Sequence, residues 1–207
     1  AFFNCENLTS VTFEENSKLT SIGECASSNC TSLTSIEIPN SVTSIGDEAF
    51  TACYNLTSIT VEEGNPVYDS RSNCNAIIET VSNTLMFGCQ NTIIPQSVTS
   101  IGYMAFFDCD KLTSIEIPNS VTSIEDGAFG SCDNLTSITV EEGNPVYDSR
   151  NNCNAIIETA SNTLMIGCHN TTIPNSVTSI GYRAFTVCDN LKRIKIPNSV
   201  SSIGDYA

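Results

Sequence analysis

The chain has no tryptophan, a single histidine, and only 8 lysines and arginines against 23 aspartates and glutamates. Each scarcity excludes something. A formal net charge of −15 leaves no basic footprint for nucleic-acid phosphates and no attraction to anionic lipid surfaces. The lone histidine, His169, stands where a near-identical copy of its surroundings has Gln90, the mark of a surface residue rather than a catalytic base. With no G-x-S-x-G elbow and one histidine for any triad, nucleophilic hydrolysis has no constellation to use. No C-x-x-C pair occurs, which argues against a zinc site, and no spacing of oxygens matches an EF-hand loop. No run of 18 apolar residues exists, so no segment reads as a membrane span. The sequence therefore predicts a non-enzymatic chain with no catalytic, cofactor-binding or metal-ligating set.

What is present is repetition. The words L-T-S-I-x-I-P-N-S and V-T-S-I-x-x-x-A-F-x-x-C run from Leu112 to Cys132 and return from Leu33 to Cys53. The A-F anchors, or degenerate forms of them, fall at Ala1, Ala26, Ala49, Ala105, Ala128, Ala184 and Ala207, mostly 23 or 56 residues apart. A block of 79 residues recurs nearly verbatim, with VEEGNPVYDSRSNCNAIIET at Val61 answered by VEEGNPVYDSRNNCNAIIET at Val140. Such periodicity is the signature of a stack of similar coils, each burying its apolar face against its neighbours. Residues 1–207 are expected to form one solenoid. Both ends interrupt the repeat at the same phase, which is expected of a piece of a longer protein.

Thr, Val and Ile favour pleated strands, so the stack is expected to be mainly β. In L-T-S-I-x-I-P the two isoleucines alternate inward, and proline, lacking an N–H, ends the strand. S-V-T-S-I offers a second short strand. Ala, Phe and Cys of A-F-x-x-C lie three to four apart, which predicts one helical or 3-10 turn packing inward. The 56-residue intervals carry a longer variant. There the apolar runs NAIIET and TLMFGC flank Val81-Ser82-Asn83 and predict a β-hairpin, repeated from Asn154 to Cys168.

The unit L-T-S-I-x-I-P-x-S-V-T-S-I-G-x-x-A-F-x-x-C resembles the BspA-like leucine-rich repeat family of bacterial and protozoan surface proteins. The resemblance covers essentially the whole chain. It implies a curved right-handed solenoid with a β-sheet on its concave side. It also implies a cell-surface or secreted location and a role in adhesion through a protein or glycan partner, with host matrix or a host cell among the candidates. The hairpin-bearing units depart from the plain pattern.

The candidate residues follow from the repeat. Six cysteines (Cys5, Cys30, Cys53, Cys109, Cys132, Cys188) hold one repeat position and are expected to form a buried thiol column, since free cysteine packs as a small hydrophobe. Cys74 with Cys89, and Cys153 with Cys168, fall opposite one another if the hairpin turns at its centre. Each pair is either a cross-strand disulfide or two core thiols. Glu62, Glu63 and Asp69 recur as Glu141, Glu142 and Asp148; strict repetition favours structure over acid–base chemistry. The outward positions of the strands, Thr12, Glu37, Thr60, Glu116, Thr139 and Lys195, are the candidate binding face, flanked by a row of serines. Weak contacts repeated along such a face can build avidity. Tyr103, Tyr182 and Tyr206 share one position on the turn side. The rival to a binding module is a spacer or a filament that self-associates through its open repeat ends, and a second rival is a repeat region appended to an enzyme outside this segment.

Overall fold

Alternation in S-I-x-I puts serine and the variable residue on one side of the chain and two isoleucines on the other. The computed structural model, which describes residues 1–186 and 188–207, realises that alternation as a β-solenoid of about eight turns. Ser35–Ile38 and Ser58–Val61 pair in parallel, in register Ser35 with Ser58 and Glu37 with Thr60. Ser114–Ile117 and Ser137–Val140 do the same one block later. Ile36, Ile38, Ile59, Ile115, Ile117 and Ile138 are buried, as the alternation requires.

A second side of each coil carries the short strands of V-T-S-I. Ser21–Ile22 pairs with Ser44–Ile45, Ser100–Ile101 with Ser123–Ile124, and Ser179–Ile180 with Ser202–Ile203. Threonine hydroxyls reinforce both ladders by donating to the carbonyl one coil back, as from Thr57 to Thr34 at 3.1 Å and from Thr136 to Thr113 at 3.2 Å.

The third side differs from expectation. A-F-x-x-C forms stacked turns, not a helical or 3-10 turn. The residue before each alanine is left-handed, with φ of 51° at Cys25, 55° at Glu48, 52° at Met104, 69° at Gly127 and 53° at Arg183. A second left-handed residue follows four positions on, at Asn29, Ala52, Asp108 and Ser131. This reversal of handedness turns alternate N–H groups toward the next coil. Met104, Phe106 and Asp108 donate to Asp126, Ala128 and Gly130 at 3.3, 2.8 and 3.0 Å. A helix would have spent those donors within the turn; the ladder needs them outside it, and holds backbone angles that are otherwise unfavourable for side chains with a Cβ.

The long units build the interior. Ala76–Glu79 pairs antiparallel with Thr84–Gly88, and Ala155–Glu158 with Thr163–Gly167. These hairpins are not appendages. Ala76, Ile77 and Ile78 are all fully buried, as are Ala155, Ile156 and Ile157. Ile78 and Leu85 belong to the central core cluster, whereas Ile77 and Phe87 belong to the N-terminal one. In the second block Ile156 joins the central cluster, and Ile157 and Leu164 join the C-terminal one. Each hairpin is thus a two-faced wall between core compartments, which is why NAIIET reads as a continuous apolar run.

Candidate functional site

The face carrying the S-x-I strands bears two open grooves. One, of about 560 Å³, is lined by Thr12, Glu37 and Thr60 together with Glu14, Glu15 and Glu62. The other, of about 680 Å³, is lined by Glu116 and Thr139 together with Ile93, Gln96 and Glu141. The ladder register sets Glu37 beside Thr60 and Glu116 beside Thr139. Five of the six outward residues are therefore brought together in two sets. Lys195 is exposed but lies in a stretch with no strand, outside both grooves, and Thr60 is half-buried. The long unit separates the two sets and contributes Ile93, which is 77% exposed. Nothing in the sequence marks Ile93, since NTIIP looks like the chain rejoining its repeat.

The repeated carboxylates are built into the loops. Glu62 accepts the Asn40 N–H at 2.8 Å, and Glu141 accepts the Asn119 N–H at 2.9 Å. That backbone donor, followed by the Gln96 amide, holds the Glu141 carboxyl below the usual carboxylate range. Asp69 pairs with Arg71 at 2.8 Å and Asp148 with Arg150 at 2.6 Å. Each arginine also donates to the hairpin turn, at Asn83 or Asn162. Among the described residues no group of three or more potential metal ligands occurs.

Asn65 and Asn144 are the loop residues whose importance composition hid. Asn65 donates to the carbonyls of Pro39 and Val42 in the preceding coil and accepts the N–H groups of Val67 and Tyr68. Asn144 makes the same four bonds to Pro118, Val121, Val146 and Tyr147. The E-E-G-N-P word reads as a turn; the asparagine in it is a clamp between coils. Tyr68 is buried, and its hydroxyl accepts the Ile45 N–H at 3.2 Å, closing the end of a short strand.

All eleven cysteines are free thiols. Cys30, Cys53 and Cys132 are buried and donate to the Phe2, Ser27 and Phe106 carbonyls at 3.1, 3.2 and 3.1 Å. The column is less uniform than expected: Cys5 is exposed, and Cys109 and Cys188 are half-buried. Burial pushes the Cys53 thiol up to about 12 and the Cys132 thiol higher still. The hairpin cysteines do not oppose each other. Glu79 pairs with Thr84, but Ala76 pairs with Gly88, because a bulge between Ile77 and Ile78 shifts the register by one residue. One residue of slip sends side chains to opposite faces. Cys74 therefore lies in the central cluster and Cys89 in the N-terminal one, and the same bulge divides Cys153 from Cys168. They are core thiols, in different compartments.

Tyr103 and Tyr182 are each 47% exposed and Tyr206 is 76% exposed. Arg183 stacks over the Tyr182 ring at 5.0 Å. His169 is half-buried rather than on the surface, and its Nε2 has no partner.

Six copies of the BspA type leucine rich repeat region match the chain over residues 1–87, 79–165 and 165–207. Among curated proteins no sequence matches. A leucine-rich repeat protein from Eubacterium ventriosum is 29% identical with a TM-score of 0.60, over 92% of this chain and 48% of that one. A leucine rich cell surface protein from Faecalibacterium prausnitzii is 26% identical with a TM-score of 0.58, over 100% of this chain and 62% of that one. The pneumococcal vaccine antigen PcpA shares the fold at 21% identity and a TM-score of 0.60, over 95% of this chain and 41% of that one. The chain spans less than two thirds of each of these structures. It belongs to the BspA-type leucine-rich repeat family.

Proposed function

We propose that this BspA-type repeat chain is a non-enzymatic binding module of a bacterial cell-surface protein, and that it holds a basic protein surface in the two grooves of its strand face. The observation that carries the reading is the grooves' charge. Glu14, Glu15, Glu37 and Glu62 border one, Glu116 and Glu141 the other, in a chain of net charge −15. Complementary charge accelerates encounter and selects partners. Two grooves on one rigid frame can act together, so that modest affinity at each becomes avidity. Similarity to a cell surface protein of Faecalibacterium prausnitzii supports the location, and leucine-rich repeats generally bind proteins.

The test is surface plasmon resonance of the chain against a panel of immobilised extracellular-matrix and serum proteins, including basic ones. The expected result is saturable binding to a basic member that weakens as sodium chloride rises. The Glu37→Lys, Glu116→Lys double variant should abolish it with the fold unchanged by circular dichroism. Absence of saturable binding, or binding untouched by both salt and the charge reversals, would refute the reading.

A further inference from the structure

The two blocks part in charge at one place, where the V-T-S-I side meets the turns. In the first block a space of about 250 Å³ opens there, and Asp47, Glu48, Glu79 and Glu125 border it together with Tyr103. The matching residues 79 positions on are Asp126, Gly127, Glu158, Gly204 and Tyr182. Two of the acidic side chains are gone, and the residue after the tyrosine changes from Met104 to Arg183. The Arg183 guanidinium lies over the Tyr182 ring at 5.0 Å and over the Tyr206 ring at 5.8 Å. The second block thus supplies its tyrosine with a cation of its own. The first keeps the ring and two further carboxylates, and no lysine or arginine borders the space.

The carboxylates are fixed by the fold. Glu125 accepts the Tyr103 N–H at 3.0 Å, which ties it to the coil that carries the ring. Glu79 accepts the Ser82 hydroxyl at 2.5 Å beside the hairpin turn. The Tyr103 ring is 47% exposed, and Met86 and Phe87 give the space an apolar lining. Among the described residues no three acidic groups converge closely enough to hold a metal ion. Carboxylates dispersed around a ring suit a broader, organic cation, which can stack on the ring face while its N–H groups reach several acceptors. Drug-sized ligands take about 300–1,000 Å³, so a space of about 250 Å³ is on the scale of one long side chain.

We propose that the Tyr103 space receives the guanidinium of a partner protein's arginine, in the role that Arg183 plays for Tyr182. A planar guanidinium stacks on an aromatic face and forks toward carboxylates at the same time, which the compact ammonium of lysine does not. The arginine stem is apolar and can lie along Met86. No residue lines both this space and either groove of the strand face, so the two readings stand or fall separately.

Methyl-labelled methionine gives an internal test, because Met86 lines the space and Met165 is its counterpart in the second block. Titration with acetyl-Gly-Arg-Gly-amide should shift Met86 saturably and leave Met165 still. The lysine peptide should bind more weakly, and the neutral citrulline peptide about tenfold more weakly or worse. Met104→Arg installs the guanidinium of the sister block and should weaken binding about tenfold without lowering the melting temperature. Tyr103→Ala should weaken it to a similar extent by removing the ring. No saturable shift in the wild-type chain, equal binding of the citrulline peptide, or binding undiminished in both variants would overturn the proposal. The Glu37→Lys, Glu116→Lys variant should bind the arginine peptide within about twofold of wild type in 0.15 M salt, where charges more than about 8 Å apart are largely screened; loss there would also overturn it.

Discussion

The two 79-residue blocks share one frame and differ in what the frame leaves empty. Residues 61–80 and 140–159 differ only at Ser72 and Asn151, and both take left-handed angles, with φ of 60° and 59°. The asparagine clamps, the arginine–aspartate pairs and the hairpin bulges recur bond for bond. These elements act largely on backbone groups, which every coil presents at the same spacing. Side chains on the turn side are not held to that pattern: Tyr54, Phe87 and Phe107 are answered by Asp133, Ile166 and Thr186. Repetition fixes the scaffold while single exchanges vary its turn side.

The comparison is most severely tested at the hairpin walls. Ile78→Ala and Ile157→Ala each remove a fully buried side chain and should cost about 2–5 kcal/mol. Urea titration of both should give losses alike to within about 1 kcal/mol; a loss below that in either would mean that its hairpin is not a core wall. Next comes the clamp. Asn65→Ala or Asn144→Ala removes four hydrogen bonds, for about 2–4 kcal/mol, and hydrogen exchange should quicken at Val67 or Val146 but not in the other block. Positions 87 and 166 follow. Phe87→Ile should lower stability by about 1–3 kcal/mol, whereas Ile166→Phe should be neutral or stabilising by up to about 1 kcal/mol. Equal destabilisation by both exchanges would erase the asymmetry between the blocks.

The smallest effect concerns the thiols. An unfolded thiol ionises near about 8.5, whereas burial pushes Cys53 up to about 12. The folded chain thus binds the proton more tightly. Its contribution to stability is complete below about pH 8.5 and declines as pH rises toward about 12. At pH 8, Ellman's reagent should label exposed Cys5 in seconds and leave Cys53 and Cys132 protected, to equal extents in the two blocks. Rapid labelling of either buried thiol would contradict the packing.

The solenoid and its strand face were legible because period and alternation are written into the residues themselves. Ile36 and Ile38 point inward, and Glu37 and Glu116 outward, by the pleat alone. The left-handed turns were not legible. Cys25, Glu48, Met104 and Arg183 have little in common except a neighbour one coil away that needs their donors turned outward. The choice between a cross-strand disulfide and two core thiols at Cys74 and Cys89 stayed open for a related reason. A one-residue bulge leaves no mark in NAIIET, yet it reverses the faces of Cys74 and Cys89. Lys195 was placed on the strand face by its repeat position, but the pairing that would hold it there is absent from that stretch.

The most direct measurement is a crystal structure of the chain, read at the two hairpins. The account predicts the same one-residue bulge after Ile77 and Ile156, with Cys74 and Cys153 as free thiols apart from Cys89 and Cys168. A bulge in one hairpin alone, or a disulfide between Cys74 and Cys89, would contradict it.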